Sequence, residues 1–212
     1  AHHLELPQTQ RLPLLVGLAL WRVAARRLER LGLEARRDEL GLKWPNDLWL
    51  GEGKLAGILC ELVRQPQGQW GVVAGVGLNL GGQPKDLGRG RHKATWEAHW
   101  GDKWLPEEAL VSLGEELYRL LERLAEGEWS LLAKEWYSHS LHRERWVHLH
   151  TAPWVKEGGS TLSWGDREEL VGAGGASGPV GLCRGLGEWG ELLLEGEGGE
   201  IEAYTLGDLY LK

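Results

Sequence analysis

Short apolar runs divided by turn residues fill residues 40–80, and this pattern most restricts the fold that the chain can adopt. The runs have the length of strands, and each break is short enough for a hairpin. A crossover helix between parallel strands would not fit into these breaks. The pattern therefore predicts a meander of strands at 40–44, 48–50, 54–64 and 69–80, broken at Pro45-Asn46-Asp47, Gly51-Glu52-Gly53 and Pro66-Gln67-Gly68.

Helical patterns flank this meander on both sides. Apolar residues recur at spacings of three and four over 12–31 and over 106–126, which predicts two amphipathic helices. Pro106 with two acidic residues after it is typical of a helix start. A third, shorter helix is predicted over residues 129–138.

The pattern changes near residue 144. Beyond it, apolar runs alternate with glycine turns, which is typical of a small antiparallel barrel or sandwich. We therefore expect a mixed helix-and-sheet unit over 1–144 and a small β domain over 145–212. The runs are WVHLH, TLSW, EELVGAG, GPVGLCRGL, GELLLEG and IEAYTL.

Composition excludes several classes of protein. The net charge of −7 argues against non-specific binding of nucleic acid, which needs a basic face. Membrane spanning is excluded because no apolar run approaches the roughly 20 residues that a span needs. Cys60 and Cys183 show neither metal-ligand nor disulfide-framework spacing, so a reducing cytoplasm is the default compartment. The chain has no Met and no signal-peptide pattern, and we interpret the missing Met as a sign of processing or truncation.

The residues with most chemical potential lie in KWPNDLWLGEGKLAGILCE at 43–61 and in GVGLN at 75–79. Two lysines flank a turn that carries Asn and Asp, and glycines follow on the next strands. Cations beside exposed glycine backbone suit a phosphate, and the Asn and Asp side chains suit Mg²⁺ or a ligand N–H. An ordinary turn beside a Gly-x-Gly strand fits the same residues, because the third glycine of a dinucleotide fingerprint is absent.

These motifs resemble the central signature of the biotin–protein ligases in order and in spacing. The helix at 12–31, Ala94-Thr95 and the C-terminal run from Gly181 fit the same family, so the resemblance covers nearly the whole chain. It implies an α+β fold: a class II synthetase-like core, with a mixed or antiparallel sheet packed on helices, and a small C-terminal SH3-like barrel.

The resemblance also implies a reaction and a set of site residues. The family activates biotin with ATP and Mg²⁺ to biotinyl-adenylate, then transfers biotin to a lysine of a biotin carboxyl carrier protein. Lys54 is expected to contact the carboxylate and α-phosphate, and Asp47 to orient the incoming lysine. The other residues expected to bind biotin or ATP are Lys43, as a support for the motif, Trp44, Asn46, Gly57, Ile58, Leu59, Gly75, Gly77 and Asn79.

The chain departs from the family pattern before Lys43, where the first sheet strands of the family domain are absent and a signature loop is absent as well. A Gly-Arg-Gly-Arg-like loop should precede Lys43, and no such sequence occurs among the 42 residues before it. Gly88-Arg89-Gly90-Arg91 follows the signature instead, and we interpret it as a solvated basic loop rather than a permuted active-site loop. In the family, the Gly-Arg-Gly-Arg-like loop covers biotin and the phosphates. Without that loop, the chain is expected to bind biotin and its adenylate weakly.

Several alternatives remain open from the sequence. The chain can be a ligase, a non-catalytic or truncated binding member, or a related lipoate or octanoyl transferase, and it can form a homodimer. No protein metal site is expected. Four histidines lie close together in sequence, but exposed side chains are favoured over a metal site there: His139, His142, His148 and His150.

Overall fold

The computed structural model describes residues 10–64, 66, 70–82, 93–150 and 178–211. An antiparallel sheet of four strands in sequence order carries the motif region. This is the meander that the turn spacing predicts. Its strands are β1 (Leu40–Lys43), β2 (Asp47–Leu50), β3 (Gly53–Arg64) and β4 (Trp70–Leu78).

Helix α1 (Leu12–Arg30) lies against one face of this sheet. A proline in its first turn favours the start, and Gly32 follows its end with a φ of +70°, a backbone conformation that suits glycine. At Gly17 the helix faces the sheet, because a Cβ there would be in ordinary van der Waals contact with Leu42 at 3.5 Å and Ile58 at 3.6 Å. The helix is buried on more than the predicted stripe: Leu14 and Leu18 are each 1% exposed, whereas Leu31 is 40% exposed.

Helix α3 (Pro106–Ala125) packs beside α1 through a charged contact as well as an apolar one. The carboxylate of Glu116 is buried between Arg22 and Arg26, with distances of 2.7 Å to each guanidinium. Burial raises the pKa of Glu116, but the two arginines outweigh this effect and leave the pKa below its ordinary value. Leu110, which belongs to the predicted apolar stripe, is instead 70% exposed.

Two shorter helices complete the first part of the described chain. Helix α4 (Trp129–Ser138) matches the predicted third helix, whereas α2 (Trp96–Trp100) and a 3₁₀ helix over Glu34–Glu39 are not evident from the apolar pattern. No helix among the described residues is long and apolar enough to cross a bilayer.

A second antiparallel sheet forms the C-terminal region, from β5 (Trp146–His150), β6 (Val180–Leu186), β7 (Leu192–Glu195), β8 (Ile201–Tyr204) and β9 (Asp208–Leu211). These strands lie in the order β8-β7-β6-β5-β9. This order leaves β8 and β9 at opposite edges. The predicted runs TLSW and EELVGAG lie outside the described residues. The α+β fold class is confirmed, while the domain boundary near 144 stays a prediction.

The structure corrects the predicted exposure of the histidines and agrees with the prediction for the cysteines. Exposure was expected for the clustered histidines, but His142 and His150 are 4% and 6% exposed and pack inside the protein. His139 stacks on Trp21, with ring centroids 3.4 Å apart. Both cysteines are free, as their spacing predicts.

Candidate functional site

Four of the predicted site residues form one row across the first sheet. Lys43 is opposite Asp47, Asp47 is opposite Gly57, and Gly57 is opposite Gly77. Side chains alternate between the two faces of a strand, and Leu42, next to Lys43, is buried against α1. The row therefore lies on the face of the sheet away from α1. The glycines leave a floor of bare backbone beside the charged groups.

A β-bulge at Leu55 places the second lysine on this same face. Leu48 pairs with Ala56 while Trp49 pairs with Lys54, so Leu55 is the extra residue of β3. Leu55 and Ala56 are therefore both buried. Without the bulge, strict alternation would turn Lys54 away from Gly57.

Lys54 and Asp47 form an ion pair above Gly57. Nζ of Lys54 lies 2.6 Å from Oδ1 of Asp47, and the side chains are 43% and 10% exposed. Oδ1 has no aligned hydrogen-bond donor in the described part of the chain, so the contact is electrostatic in character. A Cβ on Gly57 would lie 2.9 Å from Nζ, so glycine leaves the space that the ammonium occupies.

The turn between β1 and β2 is fixed to β3 by Asn46. The side-chain amide of Asn46 donates to the carbonyl of Ile58 over 2.7 Å, and the backbone N–H of Ile58 donates to the carbonyl of Asn46 over 2.9 Å. The peptide bond between Trp44 and Pro45 is cis. Asn46 thus holds the turn in place by both its backbone and its side chain.

Three expected ligand contacts are directed elsewhere in this structure. The indole of Trp44 is 2% exposed and donates to the carbonyl of Gly190 over 3.2 Å. Ile58 is 3% exposed, and its side chain approaches α1 at Gly17. The amide of Asn79 donates to the carbonyl of Lys54 over 3.1 Å. Among the remaining predicted site residues, Leu59, 61% exposed, and Gly75 opposite it extend the open face beyond the charged row.

Lys43 is buried at 8% exposure, with its Nζ 5.5 Å from the centroid of the Trp49 ring. This distance is within the range of a cation–π contact. The placement fits the expectation that Lys43 supports the motif.

The segment after β4 supports Lys54 in a way that the sequence pattern does not reveal. The N–H of Ala94 donates to the carbonyl of Lys54 over 3.1 Å, and the N–H of Trp96 donates to the carbonyl of Asn79 over 2.9 Å. Gly53 allows this approach, because a Cβ there would lie 2.7 Å from the nitrogen of Ala94. From sequence, Gly53 indicated only a hairpin turn.

The described residues do not build a metal site from protein ligands alone. They contain no group of three or more His, Cys, Asp or Glu side chains arranged for a metal. Asp47 is the carboxylate of the charged row, and it is already paired with Lys54. Magnesium usually binds through one or two carboxylates and substrate phosphates, so any Mg²⁺ here would have to arrive with a triphosphate.

Thiol chemistry is disfavoured near this face. Cys60 follows Leu59 on β3, and burial raises the pKa of its thiol. Burial raises the pKa of Cys183 to about 11. The nucleophilic thiolate is therefore scarce at neutral pH at both positions.

The Gly88-Arg91 sequence lies outside the described residues.

Sequence comparisons relate the motif region to biotin ligases. The biotin/lipoate A/B protein ligase family model matches residues 5–79. The biotin–[acetyl-CoA-carboxylase] ligase of Paracoccus denitrificans is 49% identical over 45 residues, 21% of this chain and 19% of that protein. The corresponding ligase of Mycobacterium tuberculosis is 55% identical over 49 residues, 23% of this chain and 16% of that protein. The aligned segments thus span less than a fifth of these curated relatives.

Comparison with solved structures extends the likeness to nearly the whole chain. The biotin protein ligase of Aquifex aeolicus matches with a TM-score of 0.70 and 22% identity, over 98% of this chain and 77% of that one. A biotin protein ligase-like protein of unknown function from Silicibacter matches with a TM-score of 0.63 and 16% identity, over 97% and 75%. At these identities the matches show the fold. Residues 5–79 therefore match the biotin/lipoate A/B protein ligase family model, and the chain has the fold of the biotin protein ligases.

Proposed function

We propose that this chain carries catalytic machinery of a biotin–protein ligase, which activates biotin with ATP and transfers it to a lysine of a biotin carboxyl carrier protein. The observation that carries the proposal is the Lys54–Asp47 pair above Gly57, within a row that crosses all four strands. A charged pair on a glycine floor suits a ligand whose charged groups approach the backbone closely.

The first step needs a fixed cation more than a nucleophilic side chain. A carboxylate oxygen of biotin attacks the α-phosphorus of ATP, the new acyl–phosphate bond forms, and pyrophosphate leaves with the electrons of the broken P–O bond. Two anions must approach each other, so a preorganised ammonium lowers the barrier where negative charge accumulates. Lys54 supplies that ammonium, and Asn79 and Ala94 hold its backbone carbonyl.

The second step places a cationic amine beside the same row. The ammonium of a carrier lysine first loses a proton to solvent. Its nitrogen then attacks the acyl carbon, an amide bond forms with loss of a second proton to solvent, and AMP leaves with the electrons of the broken acyl–oxygen bond. Asp47, whose side chain is 10% exposed beside Lys54, can accept a hydrogen bond from the incoming amine, which orients it toward the acyl group. No step in this scheme is assigned to a protein-bound metal.

The comparisons support biotin and ATP as the substrates. The Aquifex aeolicus biotin protein ligase has been solved in complex with biotin and ATP, and this fold matches it with a TM-score of 0.67 and 22% identity. The curated relatives are biotin ligases or bifunctional ligase/repressor proteins. The matched family also includes lipoate ligases, so a lipoate or octanoyl transferase is the competing enzyme.

Exchange of labelled pyrophosphate into ATP tests the proposal directly. We expect exchange that depends on biotin and that lipoate or octanoate does not replace. Exchange with lipoate or octanoate alone would identify the competing activity. If calorimetry detects biotin binding while no exchange occurs, the chain is the non-catalytic binding member instead.

Transfer is tested separately from activation. Incubation of the chain with biotin, ATP and a biotin carboxyl carrier domain should increase the carrier's mass by one biotin. A carrier whose acceptor lysine is replaced by arginine provides the control. An unmodified carrier, together with clear pyrophosphate exchange, would restrict the function to adenylate formation.

A further inference from the structure

The turn between β6 and β7, residues 187–190, is a rigid loop at the junction of the two sheets. The N–H of Gly187 donates to the carbonyl of Glu191 over 2.8 Å, and the N–H of Gly190 donates to the carbonyl of Gly187 over 3.2 Å. Gly190 has a φ of +93°, and a Cβ there would lie 2.9 Å from Cδ1 of Leu14. The backbone of this turn has little freedom to shift.

Three buried side chains from outside the C-terminal sheet donate to successive parts of this turn. Arg11 donates from Nε to the carbonyl of Glu188 over 2.7 Å, and Trp129 donates from Nε1 to the carbonyl of Gly187 over 2.9 Å. The third donor is Trp44, whose Nε1 lies 3.2 Å from the carbonyl of Gly190. Arg11 and Trp129 attach the turn to α1 and α4, whereas Trp44 attaches it to the charged motif.

The bond from Trp44 is not explained by burial alone. In the part of the chain that the structure describes, the buried indole nitrogens of Trp49, Trp100 and Trp136 have no hydrogen-bond partner. This protein therefore leaves indole N–H groups without partners in other places, although such burial costs about 1–3 kcal/mol. At Trp44 the N–H instead joins residues 146 positions apart in sequence.

The path from this bond to the charged pair is short and stiff. Pro45, with its restricted φ, and Asn46, which is bonded twice to Ile58, separate Trp44 from Asp47. When a displacement of the indole moves the backbone of Trp44, that movement is passed to Asp47 or breaks the contacts of Asn46. The carboxylate of Asp47 is in turn 2.6 Å from the ammonium of Lys54.

We propose that the β6–β7 turn, acting through the carbonyl of Gly190 and the indole of Trp44, is a positioning element for the Asp47–Lys54 pair. Trp44 is thus a positioning residue that serves the site from within the core rather than a biotin or ATP ligand. The catalytic meaning of this role rests on the proposed function, but the geometry that it describes does not.

The test perturbs the contact from both of its ends. Trp44→Phe removes the N–H and keeps an aromatic ring, while Gly190→Ala forces the turn against Leu14 without altering the motif. Each has a matched control. Trp129→Phe removes a bond from the same turn to α4, and Gly199→Ala strains another glycine of positive φ, +85°, where no atom lies within 4 Å of the new Cβ.

The primary readout is NMR of the intact chain, with the carboxyl carbon shift of Asp47 and the amide shifts of Asp47 and Gly57. Urea unfolding accompanies it. We expect Trp44→Phe and Gly190→Ala to move these signals, and the two controls to leave them in place at comparable loss of stability. Unchanged signals in both test variants, or equal changes in the controls, would overturn the proposal.

Kinetics separates positioning from ligand binding. If biotin-dependent exchange is measurable, Trp44→Phe should lower kcat by about tenfold with KM for biotin and ATP within a factor of two, because a misplaced group affects the reacting geometry. A raised KM with unchanged kcat would make Trp44 a ligand residue and overturn the assignment. The NMR result does not depend on whether the chain catalyses exchange. Failure of the proposed function is therefore distinguishable from failure of the positioning proposal.

Discussion

The ammonium of Lys54 lies 2.6 Å from Oδ1 of Asp47, in the space that a Cβ on Gly57 would occupy. This relationship depends on a bulge at Leu55, on the register that sets Asp47 opposite Gly57, and on the absence of a side chain at residue 57. The third condition can be tested by a single substitution.

Removal of the Lys54 ammonium should affect chemistry more than folding. Lys54→Ala is expected to slow biotin-dependent pyrophosphate exchange about a hundredfold, which corresponds to about 3 kcal/mol of lost transition-state stabilisation. The thermal midpoint should change little, because the side chain is 43% exposed. Arg91→Ala is the comparison, and loss of exchange there but not in Lys54→Ala would transfer the phosphate site to the Gly88-Arg91 loop.

A methyl group at residue 57 should displace the ammonium without removing it. In Gly57→Ala, the Cβ would meet Cε and Nζ of Lys54 at 2.9 Å, and the flexible lysine end must move away from Asp47. We expect at least a tenfold loss of exchange with a nearly unchanged unfolding midpoint. A lysine ammonium signal and exchange rate equal to those of the wild type would show that the pair tolerates the methyl group.

Asn79 should matter through the backbone of Lys54. In Asn79→Asp an oxygen replaces the nitrogen that donates to the Lys54 carbonyl over 3.1 Å, so two acceptors face each other. Loss of this half-buried bond should cost about 1–2 kcal/mol in the free energy of unfolding. Hydrogen exchange should also accelerate at the amides of Asn79 and Ala94, and protection equal to the wild type would count against this role.

Asp102 should make stability depend on pH on the acid side. Arg27 and Trp96 donate to its carboxylate, and the hydrogen bond from Arg27 holds the pKa of Asp102 below its ordinary value. A depressed folded pKa gives stability that is present above the unfolded pKa and lost as the pH falls through the folded pKa. Asp102→Asn should therefore be less stable than wild type at pH 7, by about 1 kcal/mol.

Urea unfolding between pH 7 and pH 3 checks this expectation. The difference between wild type and Asp102→Asn should begin to shrink below about pH 4, where the carboxylate of the unfolded chain gains a proton, and should keep shrinking as the pH falls toward the lower folded pKa. A difference that stays constant over this range would mean that the ion pair with Arg27 does not contribute.

Gly114 offers a stabilising substitution away from the site. It lies inside α3, and no atom is within 4 Å of the position that a Cβ would take. Gly114→Ala should raise the free energy of unfolding by about 1 kcal/mol through helix propensity, with unchanged exchange. Gly101→Ala should have the opposite effect, because Gly101 ends α2 with a φ of +69°.

The sequence by itself determined the local structure and the membership of the charged row. Turn residues between the apolar runs left the strands between 40 and 80 no connection except hairpins. Leucine spacing set the long helices to within one residue at their ends, at Leu12–Arg30 and Pro106–Ala125. These are effects of short range, because backbone preferences and the period of apolar residues act within a few positions.

Tertiary structure alone decided which way the motif side chains point. Ile58 and Trp44 belong to the motif, yet the core takes both side chains, since a sheet packed on a helix must bury every second residue. The bulge at Leu55 then reverses the alternation and brings Lys54 over Gly57. The bond from Trp44 to Gly190 joins the motif to a turn 146 residues away. No local pattern encodes such contacts, because their free energy arises only when distant elements pack together.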